Sequence, residues 1–316
     1  MKRGVWVQSL ERENSVLSAS LLNTFICDDA EAGLRRLSTG LVNTIVTSPP
    51  YYQQRDYGRL GQIGVEESPQ AYIEKLVRVF RECKRTLFNN GTLWLNVGDK
   101  YDGGQLLGIP WKLAFALQDD GWLLRSDVIW HKPNAMPSSV KTRPTTDHEY
   151  VFLFAKGSRY YYDADAIREP HVTLSEQSMM KGGRNHFYKR GGTPEKGKNG
   201  GNPNLHNARW DQAFHSKGRN RRTVWRIPLS KYPEAHFAVF PEGLVELCVV
   251  AGSREGGVVL DPFSGSGTTA LVARRLGRNY IGIDNNPAYC KMAEERIGQQ
   301  LALVPEDLGY TPEDRH

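Results

Sequence analysis

The chain is poor in the features that several common function classes require. Its four cysteines (Cys27, Cys83, Cys248 and Cys290) form no Cys-x-x-Cys pair, and none has a histidine at ligand spacing. A disulfide framework and a metal site are therefore not supported, and buried free thiols are expected. No apolar run is long enough to suggest a membrane span, and the mean hydropathy is -0.52. The first residues, MKRGVWVQSLEREN, reach Glu11 and Glu13 before any apolar stretch, so no signal peptide is expected and the cytoplasm is the expected location. The one glycine-rich turn after an apolar run is not followed by Gly-Lys-Ser/Thr, and Ala270 stands where a third glycine would complete Gly-x-Gly-x-x-Gly. Both absences weaken a P-loop or dinucleotide reading.

What is present suits one sizeable core with an appended subdomain: 316 residues, 39% of them hydrophobic. The net charge of +6 is unevenly spread. Positions 156 to 231 hold 16 lysines and arginines against 6 acids, so the rest of the chain is mildly acidic. A basic insert in an acidic body points to a polyanionic partner at that segment.

The periodicity predicts alternating strands and helices. Leu22 to Ile26 and Val42 to Val46 read as strands, with a short helix around Ala32 to Leu37 between them. Ser68-Pro69 predicts a capped helix start, and Ile73, Leu76, Val77, Phe80 and Leu87 recur at helical spacing until Asn89-Asn90-Gly91 ends the run. Further strands are expected at Thr92 to Val97, Leu123 to Trp130 and Tyr150 to Ala155, and a helix at Pro110. From about Gly157 to Arg222 the pattern dissolves into Gly, Asn, Lys and Arg with Phe187, Tyr188 and Trp210 among them, as in a loop that orders on a ligand. Pro241 then opens a helix, Val258 to Leu260 and Tyr280 to Ile283 read as strands around a helix from Thr268 to Leu276, and Pro287 opens the last helix, through about Leu301. The fold class predicted is α/β, a doubly wound sheet whose apolar strands are covered on both faces.

Two short segments carry the chemistry. Asp261-Pro262-Phe263-Ser264-Gly265-Ser266-Gly267-Thr268-Thr269 is a glycine turn between a buried strand and a helix, where Gly265 and Gly267 allow close approach of a ligand and the helix N-terminus favours a negative group. Asp284, at the end of the next strand, is placed to accept hydrogen bonds from ribose hydroxyls. In Thr47-Ser48-Pro49-Pro50-Tyr51-Tyr52 the prolines stiffen the turn and carry no N–H, so their carbonyls can face a ligand. An exocyclic amine on a base is a poor nucleophile because it is conjugated with its ring. Acceptors such as the Ser48 side chain and the Pro49 carbonyl, with Tyr51 as a stacking surface, would turn its lone pair toward a methyl donor.

DPFSGSGTT resembles the S-adenosylmethionine motif of the amino-group DNA methyltransferases, and YIGID resembles their ribose-binding segment. HFAVFPEGLVE, from His236 to Glu246, is similar to the helix near the methionine end of that cofactor. The resemblance implies that Phe240 and Pro241 line the pocket and that Asp29 sits beside the adenine amine. WHKPNAMPSSVKTRPTTDHEYVFLFAK, from Trp130 to Lys156, resembles a family segment beside the target pocket. The order of amine motif, target-recognition region and cofactor motif is that of the beta group, a circular permutation of the common methyltransferase sheet. Related Asn-Pro-Pro-Tyr enzymes acting on protein or rRNA generally place the cofactor motif first, so the order argues for DNA. Serine in the leading position is typical of the cytosine N4 enzymes, with adenine N6 the alternative. No cysteine follows a proline, the arrangement that attacks the cytosine ring at C5.

The expected division is a catalytic half over 1–157, a basic target-recognition insert over 158–228, a cofactor half over 229–303 and a tail over 304–316. Duplex DNA is the expected partner, with Lys132, Arg143, Arg219, Arg221 and Arg222 as the candidate DNA-binding residues. A restriction endonuclease and a second copy of the chain are further partners that the resemblance admits. A noncatalytic DNA-binding protein and an RNA methyltransferase are the remaining readings.

Overall fold

A computed structural model describes residues 20–55, 58, 61–170, 217–229 and 240–302. Phe187, Tyr188 and Trp210 of the basic insert, His236 and the tail from Val304 lie outside the described residues. The chain divides into two compact units: residues 1–162 with 223–316, and residues 163–222.

The larger unit is built on one mixed sheet. Its strands are β1 (Thr24–Cys27), β2 (Val42–Thr47), β3 (Leu87–Val97), β6 (Leu123–His131), β7 (His148–Ala155), β8 (Val224–Arg226), β9 (Val258–Asp261) and β10 (Asn279–Asp284); β4 (Tyr101–Asp102) and β5 (Gln105–Leu106) form a separate hairpin. The order is β1-β10-β9-β2-β3-β7-β6-β8. Strands β1, β10, β9, β2 and β3 run parallel, β7 is antiparallel to both β3 and β6, and β8 runs parallel to β6. The doubly wound α/β class is therefore present, with an antiparallel extension on one side.

The helices are α1 (Ala30–Arg35), α2 (Pro69–Thr86), α3 (Ile109–Asp119), α4 (Glu242–Gly252), α5 (Thr268–Arg275) and α6 (Pro287–Ala302). Strand alternation assigns them to two layers. Ile45, Leu93, Leu95, Leu260 and Ile283 share a buried cluster with Leu34 of α1, Tyr72, Leu76 and Phe80 of α2, and Leu113 of α3. Thr44 and Thr92 point the other way, joined by a 3.0 Å hydroxyl contact. Gly252 of α4 sits so close above them that a Cβ there would meet Thr44 Oγ1 at 2.4 Å.

Local chemistry explains the helix ends. Ser68 caps α2 by accepting from the Ala71 N–H at 3.2 Å, with Pro69 in the first turn. The far end of α2 differs from the sequence expectation. The helix stops at Thr86, and Asn89-Asn90-Gly91 lies inside β3 as a bulge: Val42 pairs with Leu87 and Thr44 with Thr92, so extra residues are accommodated on the β3 side. Strand β8, which composition alone gave no sign of, has one buried side chain, Trp225, between two exposed ones.

In the smaller unit, Glu169 and Arg219 exchange two backbone hydrogen bonds (3.0 and 2.9 Å), and the Arg219 guanidinium bonds Glu169 Oε1 at 2.8 Å. Arg221 Nε donates to the Ile167 carbonyl at 2.8 Å. Among the described residues, no helix is long and apolar enough to cross a membrane and no cluster of three or more His, Cys, Asp or Glu could hold a metal. All four cysteines are free; Cys83, Cys248 and Cys290 are buried as expected, whereas Cys27, at the end of an edge strand, is exposed.

Candidate active site

The C-terminal ends of the parallel strands bring the two motifs together. Strands β2 and β9 are hydrogen-bonded neighbours, with Thr44 opposite Val259 and Ile45 opposite Leu260, so Ser48-Pro49-Pro50-Tyr51 and the glycine turn leave the same edge of the sheet. Beside them β1 and β10 end in register, Cys27 opposite Asp284. The result is one cavity of about 310 Å³ whose walls include Asp29, Ser48, Pro49, Pro50, Tyr51, Phe240, Pro262, Phe263, Gly265, Thr268 and Asp284. A crevice at the strand carboxyl ends is the usual ligand position in such sheets.

Three residues assigned to the cofactor by sequence stand behind this wall. Asp261 is buried, and its carboxylate takes hydrogen bonds from Thr47 Oγ1 (2.6 Å), Thr269 Oγ1 (2.7 Å) and the Phe263 N–H (3.0 Å). It shapes the turn from behind. Burial pushes its carboxyl up to about 6, against the lowering effect of those bonds. Pro241 is the N-cap residue of α4. Gly267 has φ +79, and a Cβ there would meet the Ala293 Cβ at 2.7 Å, so its missing side chain serves the packing of α6.

Gly265 is different: φ is +51 and a Cβ would meet nothing within 4 Å. Its N–H donates to Asp284 Oδ2 at 2.8 Å, while Oδ1 accepts from the Asn286 N–H at 2.9 Å. Asp284 thus holds the glycine turn as well as lining the cavity, and burial raises its carboxyl above the ordinary value. The neighbouring Ser264 also lines the cavity, while its hydroxyl is buried beside Gly282 and without a partner among the described residues. Helix α5 begins at Gly267 with no side-chain cap, so its first N–H groups are available to an anionic group. Arg296 of α6 clamps the turn through the Ser266 carbonyl (2.8 Å) and hydroxyl (3.0 Å). Asp29 caps α1 through Oδ1 alone, accepting from the Glu31 and Ala32 N–H groups.

At the amine end, the Pro50 carbonyl is taken by the Tyr72 hydroxyl at 2.8 Å. Among the described residues, no donor reaches the Pro49 carbonyl. Ser48 Oγ donates to the Tyr51 hydroxyl at 3.2 Å. That hydroxyl lies 2.6 Å from Glu149 Oε2 and 3.2 Å from Asn96 Oδ1. Burial first, then the negative charge of Glu149, raises the phenol well above its ordinary value. Asn96 and Glu149 were not singled out by sequence reasoning; the strand pairing of β3 with β7 and of Trp130 with Glu149 brings them here.

The candidate DNA residues fall in both units. Lys132 lies inside the cavity in an ion pair with Glu149, beneath which the Trp130 ring sits 4.7 Å from the ammonium. It is therefore committed to the cavity interior. Arg143 stacks over Tyr101 at 3.6 Å. Arg219 and Arg221 bond within the smaller unit as described, and Arg222 also belongs to that unit.

Comparison with known proteins agrees with this geometry. The family model described as DNA methylase, of the N6/N4 type, matches residues 42–295. The chain belongs to this family. It is 42% identical over 301 residues to the Type II methyltransferase M.SmaI of Serratia marcescens, covering 86% of this chain and 89% of that one. It is 41% identical over 298 residues to the Type II methyltransferase M.Cfr9I of Citrobacter freundii, covering 85% of each. Among solved structures, the methylase resembles a DNA modification methylase of Thermus thermophilus, crystallised with S-adenosyl-L-methionine, with a TM-score of 0.58, 27% identity and coverage of 89% and 97%. The cytosine-N4-specific PvuII DNA methyltransferase shares the fold, with a TM-score of 0.62 at 18% identity and coverage of 90% and 87%.

Proposed function

We propose that this methylase transfers a methyl group from S-adenosylmethionine to the N4 amine of cytosine in duplex DNA, at a specific site, by direct transfer to a flipped base. The observation that carries the reading is that Ser48 and the Pro49 carbonyl, which no described donor reaches, line the same cavity as Gly265 and Asp284. The cavity fits the cofactor: space above Gly265 and the uncapped N-terminus of α5 offer room and polar contacts together. Asp284 and Asp29 would receive the nucleoside end, and Phe240 would lie toward the methionine end.

When bound, S-adenosylmethionine supplies an electrophilic methyl group on sulfur. The protein's own residues prepare the amine. Ser48 Oγ and the Pro49 carbonyl accept its two N–H groups and hold its lone pair out of conjugation, which is orientation and electrostatic stabilisation together. Because a duplex holds that amine paired and in the plane of the stacked base, the nucleotide must leave the stack to reach the cavity. Serine in the leading position supports cytosine. The names of the Type II relatives support a modification role, with a cognate endonuclease as the partner.

The test is nucleoside mass spectrometry on DNA from a methylation-free host expressing the protein, with Ser48→Ala as control. N4-methylcytosine that vanishes in the control is expected. N6-methyladenine instead would overturn the choice of base while keeping the family, and the absence of both would overturn the reading.

A further inference from the structure

Glu149 lies 98 positions from Tyr51 in sequence and 2.6 Å from its hydroxyl in space. Both of its oxygens are occupied: Oε2 by Tyr51 and by Asn96 Nδ2 at 3.0 Å, Oε1 by the Lys132 ammonium. The Glu149 and Lys132 side chains are only 15% and 17% exposed. This is an organised group at the amine end of the cavity.

The direction of its hydrogen bonds has a consequence at Ser48. A carboxylate has no hydrogen to give, so the Tyr51 hydroxyl must be the donor, its hydrogen directed chiefly at Glu149 with Asn96 Oδ1 the longer contact. The tyrosyl oxygen is then left as an acceptor, and it receives the Ser48 hydroxyl hydrogen. Ser48 has only one hydrogen. What it turns toward the cavity is therefore lone pairs, which an amine N–H requires.

Resting on the functional reading above, we propose that Glu149 is a positioning residue that acts through Tyr51 to keep Ser48 an acceptor. Lys132 supports it by occupying Oε1. In Glu149→Gln the amide oxygen faces the ammonium, so its NH2 faces Tyr51 and becomes a donor. The tyrosyl hydrogen is then shared between Asn96 Oδ1 and Ser48 Oγ, each 3.2 Å away, and whenever it points at Ser48 the serine hydrogen is pushed into the cavity against the amine.

The experiment measures single-turnover methyl transfer on duplex DNA, and cofactor affinity by calorimetry, for wild type, Glu149→Gln, Tyr51→Phe and the double variant. Glu149→Gln should slow transfer by about 10²-fold, the scale of one lost stabilising hydrogen bond at a reacting centre, with cofactor affinity unchanged. Tyr51→Phe, which only frees the serine hydroxyl to rotate, should lose less, about tenfold. The double variant should transfer faster than Glu149→Gln, because no hydroxyl remains to be reversed. Losses that multiply in the double variant, a Glu149→Gln rate near wild type, or a matching loss of cofactor affinity would overturn the inference while wild-type activity upholds the functional reading. A wild type that methylates no exocyclic amine overturns both.

Discussion

Thr47 Oγ1 donates a 2.6 Å hydrogen bond to Asp261 Oδ1 across 214 positions of sequence. Thr47 ends the strand that leads into Ser48-Pro49-Pro50-Tyr51, and Asp261 opens the glycine turn. On its other oxygen Asp261 accepts from Thr269, in the first turn of α5. A single buried carboxylate therefore ties the amine segment, the cofactor turn and the following helix together.

Its titration should be visible in stability. The folded carboxyl is pushed up to about 6 from 3.8, chiefly by burial, so the native state holds the proton more tightly than the unfolded chain. This contribution is fully present below about pH 4 and is lost as pH rises to about 6, on the order of 3 kcal/mol at about 1.4 kcal/mol per unit. Denaturant unfolding of wild type and Asp261→Asn between pH 4 and 7 should show the difference between them moving in favour of Asn as pH rises. A difference that stays flat would remove the titration from this residue.

The two glycines of the turn should fail in different ways. Gly267→Ala combines a positive φ with a Cβ 2.7 Å from Ala293, and should cost about 2 to 4 kcal/mol of stability, from left-handed strain plus overpacking. Gly265→Ala meets only strain, about 1 kcal/mol, but points a methyl group into open space at the cavity, so cofactor affinity should fall more than stability. Thermal unfolding and calorimetry on both variants check the contrast; equal stability losses would contradict it.

Cofactor binding and transfer should separate along the cavity. Tyr51→Ala should leave cofactor affinity within about threefold and abolish transfer, whereas Asp284→Ala, which also releases Gly265 and Asn286, should weaken cofactor binding by about tenfold or more. Calorimetry showing the reverse would sink the assignment of the two ends.

Arg143 and Lys132 should differ in DNA binding. Arg143, stacked on Tyr101 and partly open to solvent, can contact a phosphate, so Arg143→Ala should lower the salt slope of DNA affinity by about one. Lys132→Ala should leave that slope unchanged, because its charge is spent on Glu149. The slopes come from binding titrations at several salt concentrations.

Much of the fold was legible because the signals are local. Ser68-Pro69 opened a helix where expected, the apolar strands other than β3 ran close to the predicted bounds, and the two chemical segments were recognisable from their turn residues alone. The roles within the glycine turn were less legible. Asp261, Pro241 and Gly267 read as cofactor contacts, yet they support the turn and the helices from behind, since a motif reports spacing along the chain and not which side of a loop a group faces. Lys132 likewise read as a DNA-binding residue, because the partner that holds it in the cavity lies 17 positions away on the adjacent strand.

The sequence by itself determined the order of the main strands and helices, though not the short β4, β5 and β8, and which short stretches carry chemistry, since periodicity, caps and turn residues act over a few neighbouring positions. Only the tertiary structure decided that Thr47 meets Asp261 and that Glu149 reaches Tyr51. Those meetings depend on which strands are neighbours and in what register they pair, and that is set by backbone hydrogen bonds between segments far apart in the chain.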